Sequence, residues 1–194
     1  MSSTKERILV IARELFARQG YTGTTIADIA GELGTTTAAL YYHFDSKADI
    51  LRGLLEQPMA VYLRILEGLR EARPAAEELL GAFVDLAVES RELSVIIDRD
   101  PTILAMIDEQ LPTSSEDLTK EVIIALAGPD ADHAAVVRAH AAFGVVKHAT
   151  LAAMAHAGPP QNGPRDGLDP ADRAEILAAA LRALADPGPA RGQP

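Results

Sequence analysis

Apolar residues recur at intervals of three and four near the start of the chain, which is the spacing of one face of an α-helix. This stripe consists of Ile8, Ile11, Ala12, Leu15 and Phe16. Ser3 and Glu6 have the spacing of a capping box before it, and Gly20 suits the left-handed residue that follows a helix end. These features predict a first helix over residues 4–19.

A shorter stripe of the same spacing follows and predicts a second helix over residues 26–33. Thr25 and Asp28 repeat the capping-box spacing at its start, and Gly34 permits a sharp turn after it. Thr36 is then the expected N-cap of a third helix. Two short helices joined by a turn that contains glycine are typical of a helix-turn-helix, and the first helix would supply its apolar floor.

The third helix is predicted to be short, with Leu40 and Phe44 facing inward and Asp45 ending it. Beyond it the pattern changes to longer helices, the fourth of them capped by Ser46 and Asp49. The predicted spans are 47–72, with Pro58 inside, then 74–97, a short sixth helix that opens at Pro101, a seventh that ends near 128–129, 130–157 and 170–185. Glycine and proline in 158–169 predict a loop. The sequence thus predicts an all-α chain of nine helices.

We expect three parts in this chain: a helix-turn-helix domain over residues 1–47, a larger helical domain over 48–186 and a frayed tail over 187–194. The net charge of −10 lies wholly outside the first part, which holds five basic and five acidic residues. The other 147 residues hold 13 basic and 23 acidic ones. An acidic body would be repelled by phosphate, so any contact with nucleic acid must be made by the first part.

Composition excludes several other classes of protein. The chain has no cysteine, so it has neither disulfides nor thiolate metal sites. No apolar run is long enough to cross a bilayer, and no signal peptide is visible at the start. With 48% hydrophobic residues there is enough apolar material for a core, and we expect a cytoplasmic protein that makes no membrane contact.

The segment 24–51, TTIADIAGELGTTTAALYYHFDSKADIL, resembles the DNA-binding head of the TetR family of one-component transcriptional regulators. The resemblance lies in the Thr-capped helix, the Gly turn, the Leu-Tyr-x-His-Phe sequence and the Ser-Lys-acidic start of the next helix. It implies a double-stranded DNA operator as partner, a homodimer and a small-molecule ligand. The positions that this family uses for DNA contact correspond here to Thr25, Thr37, Tyr41, Tyr42, His43 and Lys47.

The residues themselves also favour DNA contact by the third helix. Its expected outward face consists of Thr35, Thr37, Ala38, Ala39, Tyr42 and His43. Small residues let the backbone approach base edges, and Thr and Ala can pack against thymine methyl groups. This helix has no Arg, Asn or Gln, so it cannot read guanine or adenine through paired hydrogen bonds, and we expect specificity to come from thymine methyls and DNA shape.

The full set of residues expected to contact DNA is Thr25, Thr36, Thr37, Ala38, Tyr41, Tyr42, His43 and Lys47. Tyr42, His43 and Lys47 would bond phosphates, as would backbone amides at the start of helix four. Helix capping alone accounts equally well for Thr25, and packing in the core accounts in part for Tyr41.

The resemblance places a ligand pocket in the body and a dimer surface on its last two helices. The candidate ligand-binding residues are Tyr62, Phe83, Arg99, His140 and Phe143, with Asp98, Asp100 and His148 as further polar residues expected in apolar surroundings. Simple packing of Phe83 and Phe143 is the alternative. The expected dimer face of helix eight consists of Ala134, Val137, Ala141, Val145, His148, Ala149 and Ala152, and that of helix nine of Ile176, Leu177, Ala180, Leu181 and Leu184. Ordinary packing within the chain is the alternative for both faces, and it is compatible with a dimer.

No metal site or cofactor is expected. His133, His140, His148 and His156 are seven or eight residues apart, whereas two ligands on one helix face are usually four apart. The chain also lacks a nucleophile elbow, a phosphate-binding loop and a dinucleotide fingerprint, so we expect no enzyme. The predicted function is a ligand-responsive regulator, a repressor that binds a palindromic operator and is released by a small molecule. The alternative is a ligand or protein sensor with degenerate DNA binding.

Overall fold

A computed structural model describes residues 3–100, 102–109, 114–156 and 167–185. Within these ranges the chain forms ten α-helices and no strand, which confirms the all-α prediction. The helices are α1 (Thr4–Gln19), α2 (Ile26–Leu33), α3 (Thr37–Tyr41), α4 (Lys47–Ala72), α5 (Ala76–Glu89), α6 (Arg91–Arg99), α7 (Thr102–Asp108), α8 (Ser115–Ala127), α9 (His133–His156) and α10 (Pro170–Leu184). None of these helices combines the length and apolar character needed to cross a bilayer.

The continuous fifth helix predicted over 74–97 is wrong, because the chain turns at Ser90 and begins a new helix there. The backbone of Ser90 departs from helical angles, and its carbonyl oxygen accepts from the amide of Ser94 at 2.9 Å to start α6. Each later helix therefore has a number one higher than predicted. Most of the predicted loop, residues 158–166, and the predicted tail lie outside the described residues.

Capping side chains fix the start of several helices where the sequence predicts them. Ser3 Oγ accepts from the amide of Glu6 at 3.2 Å, and the Glu6 carboxylate accepts from the amide of Ser3 at 2.8 Å. Ser46 Oγ accepts from the amide of Asp49 at 3.1 Å at the start of α4. These bonds satisfy backbone donors that the first turn of a helix leaves free, so the boundaries of both helices are set locally.

The chain divides into two compact units. The first unit contains residues up to Leu63 together with Ser90–Ser115, and the second contains Arg64–Glu89 and the residues from Glu116 onward. In the first unit α1 packs against α2 and α6, and α2 packs against α3. Its buried core is formed by Ile8, Ala12, Leu15, Phe16, Tyr21, Ile29, Ala30, Leu40, Phe44, Ile50, Leu51, Leu55, Leu93, Ile96 and Ile103. The boundary between residues 47 and 48 stays a prediction, but α6 and α7 share a core with the helix-turn-helix.

In the second unit α9 packs against α5 and α10, and α10 also packs against α5. Its buried core includes Leu79, Leu80, Phe83, Val84, Val122, Ala139, Ala142, Val146, Ile176, Leu177 and Ala180. Two ion pairs link its helices at the surface, Arg70 with Glu121 at 2.7 Å and Arg173 with Asp85 at 2.9 Å. Since exposed pairs contribute little to stability, the apolar core is the main source of cohesion in this unit.

Candidate nucleic-acid interface

The turn between α2 and α3 is built as a helix-turn-helix requires. Gly34 adopts φ 70° and ψ 36°, a left-handed conformation that costs glycine little. The amide of Thr35 donates to the Ala30 carbonyl oxygen at 2.9 Å, which closes the end of α2. Thr36 Oγ1 then accepts from the amide of Ala39 at 3.2 Å, as expected of the N-cap of α3. The start and direction of α3 are therefore fixed by hydrogen bonds on both sides of the turn.

Helix α3 is anchored on one side and open on the other. Leu40 and Phe44 are 1% and 6% exposed, which confirms that both face inward. Residues 35–39 are all exposed, so Thr36, Thr37 and Ala38 of the predicted set lie on an accessible face. A helix of five residues with small exposed side chains at its start lets another molecule come close to its backbone.

Two exposed tyrosines lie at the end of α3, Tyr41 as its last residue and Tyr42 directly after it. Tyr42 is 87% exposed and Tyr41 52% exposed, so packing in the core does not account for Tyr41. The half-buried His43 ring lies 5.3 Å from the Tyr42 ring in an edge-to-face arrangement. Two tyrosines that leave their rings in solvent present hydroxyl donors outward beside the open face of α3.

Thr25 is the N-cap of α2, as the capping alternative predicts. Its Oγ1 accepts from the amide of Asp28 at 3.1 Å and donates to the Asp28 carboxylate at 2.6 Å. The Asp28 carboxylate also accepts from the amide of Thr25 at 2.8 Å. These hydrogen bonds to the charged form hold the pKa of Asp28 below its usual range. The amide and the hydroxyl of Thr25 therefore both form hydrogen bonds with Asp28 at the start of α2.

Lys47, the first residue of α4, directs its ammonium group toward its own chain. Nζ donates to the carbonyl oxygen of Tyr21 at 2.9 Å and to that of Thr24 at 2.8 Å. It also lies 4.3 Å from the centre of the Tyr21 ring. Partial burial lowers the pKa of Lys47, while the charge of Asp100 acts in the opposite direction. The lysine therefore ties the turn between α1 and α2 to the start of α4.

A buried carboxylate outside the predicted DNA-contact set completes this region. Asp100, at the junction of α6 and α7, accepts from Thr22 Oγ1 at 2.6 Å and from the Thr22 amide at 3.2 Å. It also accepts from Thr102 Oγ1 at 2.5 Å and from the Thr102 amide at 3.2 Å. Sequence reasoning placed Asp100 among possible ligand residues and passed over Thr22. The spacing of Asp100 and Thr102 is a local turn signal that predicts the hydrogen bonds between them. Nothing in the local sequence indicates the hydrogen bonds between Asp100 and Thr22.

Of the five candidate ligand residues, the structure brings two together. Phe83 and Phe143 pack edge to face in the second unit with ring centroids 5.0 Å apart, as the packing alternative expects. His140 is exposed on α9, as is His148, so the expectation of apolar surroundings for these two histidines is wrong. Tyr62 is half-buried on α4 in the first unit, and the side chains of Asp98 and Arg99 lie outside the described residues.

The predicted dimer face of α9 is accessible in the single chain. Ala134, Val137, Ala141, His148 and Ala152 are exposed, and Val145 and Ala149 are half-buried. On α10, Ile176, Leu177 and Ala180 are buried in the core of their own unit, which is the packing within the chain that is compatible with a dimer surface. Leu181 and Leu184 are half-buried. Within the chain, α10 packs against α5 and α9.

Within the part of the chain that the structure describes, no three His, Asp or Glu side chains cluster as metal ligands would. His133, His140 and His148 are exposed on α9, and the side chain of His156 lies outside the described residues.

Comparison with known proteins finds similarity in the segment that carries this surface. Residues 8–54 match the family model for bacterial regulatory proteins of the tetR family. The HTH-type transcriptional repressor KstR2 of Rhodococcus jostii is 32% identical over 119 residues, which are 59% of this chain and 58% of that protein. The chain spans about half the length of the curated relatives it matches.

Solved structures agree with the fold over most of the chain. AmtR of Mycobacterium smegmatis superposes with a TM-score of 0.67 at 23% identity, covering 96% of this chain and 88% of that one. A TetR-family regulator from Bordetella parapertussis gives a TM-score of 0.66 at 22% identity, covering 95% of each. The matched segment contains α2, α3 and the capped start of α4, the elements on which the resemblance depends. Over residues 8–54 the chain is therefore similar to the tetR family of bacterial regulatory proteins, and beyond this segment the likeness to the solved structures lies in the fold.

Proposed function

We propose that this chain is a ligand-responsive transcriptional repressor that binds a palindromic operator as a homodimer. The observation that carries the proposal is the open face of α3, which is followed directly by Tyr42, a tyrosine that is 87% exposed. A large aromatic ring held in solvent on a well-packed unit contributes nothing to that unit's core. Its position beside a helix of small residues suits insertion into a DNA groove.

In the proposed complex, α3 lies in the major groove. Thr37 and Ala38 approach base edges, and Tyr42 and His43 bond phosphates on the groove wall. The start of α4 adds backbone amides and the positive end of its dipole. With no Arg, Asn or Gln on α3, discrimination between operators comes from thymine methyl groups and from the shape of the duplex.

The proposed dimer forms through α9 and α10. The accessible face of α9 carries small side chains and Val137, which is 52% exposed, and small residues let two helices approach closely. A two-fold axis there would set two α3 helices one or more DNA turns apart, about 34 Å per turn, and so require a palindrome. A ligand that prefers a different spacing of the α3 helices would shift the population away from DNA. Such a regulator acts in the cytoplasm.

One observation favours the second candidate, a sensor with degenerate DNA binding. The first 47 residues carry no net charge, and the ammonium group of Lys47 is bonded to its own chain. Few cations therefore remain to attract phosphate. The repressor is the proposal of choice because the exposed tyrosines and the open α3 face have no role in a sensor alone.

Fluorescence anisotropy on a duplex taken from the region upstream of the chain's own gene tests the proposal. A repressor dimer should bind this duplex in preference to a shuffled one of equal composition, and its affinity should fall steeply with salt. Val137→Glu, which puts a charge on the proposed dimer face, should give monomers in size-exclusion chromatography and weaken binding. Equal affinity for both duplexes would favour the degenerate sensor.

A further inference from the structure

Asp100 holds the turn between α1 and α2 through a carboxylate whose two oxygens each accept two hydrogen bonds. The residue is 9% exposed, and its two oxygens accept from the hydroxyl and amide of Thr22 and from the hydroxyl and amide of Thr102. Removing a carboxylate from water is costly unless hydrogen bonds replace the water. These four bonds do so, which fixes Thr22 relative to the junction of α6 and α7.

The held turn is the one that leads into the candidate interface. Residues 20–25 connect α1 to α2 and end at the N-cap Thr25. On its other side, Lys47 bonds the carbonyl oxygens of Tyr21 and Thr24 and so links the same turn to the first residue of α4. We call Asp100, Thr22 and Lys47 the polar clamp. Asp100 and Lys47 have opposite charges, and the charge of Asp100 favours the charged form of Lys47.

Two of the three residues of the clamp come from segments that flank α2 and α3, and the third comes from far along the chain. Asp100 is 78 residues from Thr22, yet α6 packs against α1 and belongs to the same compact unit as the helix-turn-helix. A carboxylate bonded at both of its oxygens transmits a displacement of the α6–α7 junction to the turn, since neither partner can move without breaking charge-assisted hydrogen bonds.

We propose that Asp100 is a positioning residue for DNA binding. It touches no DNA itself but holds the 20–25 turn, and with it the start of α2 and Lys47, in the arrangement that lets α3 and the start of α4 meet the duplex together. This role rests on the proposed function, because it concerns affinity for DNA.

The direction in which DNA affinity changes when Asp100 loses its charge distinguishes a positioning role from a purely electrostatic effect. Asp100→Asn removes a negative charge, which by itself should raise affinity for a polyanion. The amide nitrogen of Asn cannot accept hydrogen bonds, so part of the four-bond set is lost and the turn is released. A positioning role therefore predicts weaker binding, against the electrostatic trend.

The experiment compares Asp100→Asn, Thr22→Val and Thr22→Ser with the wild-type protein. Glu109→Gln serves as the matched control, because it removes one carboxylate charge from an exposed residue of the same unit. Dissociation constants for the upstream duplex are measured at several salt concentrations. Hydrogen exchange over residues 20–25 and thermal melting are followed in parallel on the free proteins.

We expect Asp100→Asn to weaken binding about tenfold, the scale of a lost hydrogen bond to a charged group, and to speed exchange over 20–25. Its affinity should depend less steeply on salt, because fewer phosphate contacts form at once. Thr22→Val, which loses only the hydroxyl donor, should show the same changes in smaller degree. Thr22→Ser, which keeps the hydroxyl, should have wild-type affinity, salt dependence and exchange. Glu109→Gln should bind at least as tightly as the wild type.

A merely structural role for Asp100 would lower the folded fraction but leave the salt slope of the remaining protein unchanged. That result, or wild-type affinity in Asp100→Asn alongside faster exchange, would overturn the positioning role while the repressor proposal stands. If the wild-type protein itself shows no preference for the upstream duplex over the shuffled one, the repressor proposal fails and the positioning role falls with it.

Discussion

The ammonium nitrogen of Lys47 lies 4.3 Å from the centre of the Tyr21 ring and donates to the carbonyl oxygen of that same residue at 2.9 Å. One side chain thus combines a cation–π contact with a charge-assisted hydrogen bond to one residue, and it bonds Thr24 as well. Such a lysine stabilises its own unit before any DNA arrives. Its contribution to binding is therefore inseparable from its contribution to folding.

Lys47→Met keeps much of the aliphatic stem but removes the charge and both donors. We expect the free energy of unfolding to fall by about 1–2 kcal/mol, and affinity to fall alike for the upstream and the shuffled duplex. Melting curves and anisotropy measure the two effects. Lys120→Met, which removes an exposed lysine of α8, is the control and should change neither. A change in sequence preference with no loss of stability would contradict the assigned role of Lys47.

Thr25 offers a test of capping against direct contact with DNA. Thr25→Ala removes the capping oxygen and should lower the free energy of unfolding by about 1 kcal/mol, with a matching loss of affinity. Thr25→Asn supplies another good N-cap oxygen in place of the hydroxyl. Because the Thr25 hydroxyl already donates to Asp28, we expect Thr25→Asn to restore both quantities. Recovery of stability without recovery of affinity would instead mean that the hydroxyl itself contacts DNA.

Tyr42 should behave in the opposite way, because its ring is in solvent. Tyr42→Ala is expected to change the free energy of unfolding by less than about 0.5 kcal/mol, the range of surface substitutions. Affinity for the upstream duplex should nevertheless fall about tenfold, through loss of the hydroxyl bond and of ring contact with the groove. Val10→Ala alters another exposed apolar residue of the same unit and should leave both quantities near the wild type. An unchanged affinity for Tyr42→Ala would remove the main support for the repressor.

The parts of this structure that the sequence predicts are those set by near neighbours. Ser3 with Glu6, Thr25 with Asp28 and the N-cap Thr36 are all found as expected, because a cap involves residues only three positions apart. The left-handed turn at Gly34 is predictable for the same reason. The inward positions of α3 follow from helical spacing alone.

What the sequence does not predict depends on tertiary packing or on weak local signals. The break at Ser90 has neither glycine nor proline beside it, so the periodic pattern appears continuous across it. The bond between Asp100 and Thr22 spans 78 residues, and only the packing of α6 on α1 brings the two together. The bonds from Lys47 to the carbonyl oxygens of Tyr21 and Thr24 also join residues more than twenty positions apart, and the position of Lys47 at a helix start does not reveal them.

The stability of the polar clamp should depend on pH through Asp100. Its hydrogen bonds with Thr102 and Thr22 favour the charged carboxylate and hold the pKa of Asp100 below its usual range. A carboxyl whose pKa is lower in the folded than in the unfolded state stabilises the fold above its unfolded pKa, about 3.9, and loses that contribution as the pH falls through its folded pKa. Between pH 5 and pH 7 the contribution should therefore be constant.

Urea unfolding of the wild-type protein and of Asp100→Asn from pH 7 to pH 3 measures this contribution as the difference between their free energies of unfolding. The difference should stay level down to about pH 5 and narrow below about pH 4. Asp28 and Asp49 also have lowered pKa values, but both are present in each protein, so their acid loss cancels in the difference. A difference that is unchanged at pH 3 would show that the charge of Asp100 does not stabilise the clamp, and that its side chain acts there through shape alone.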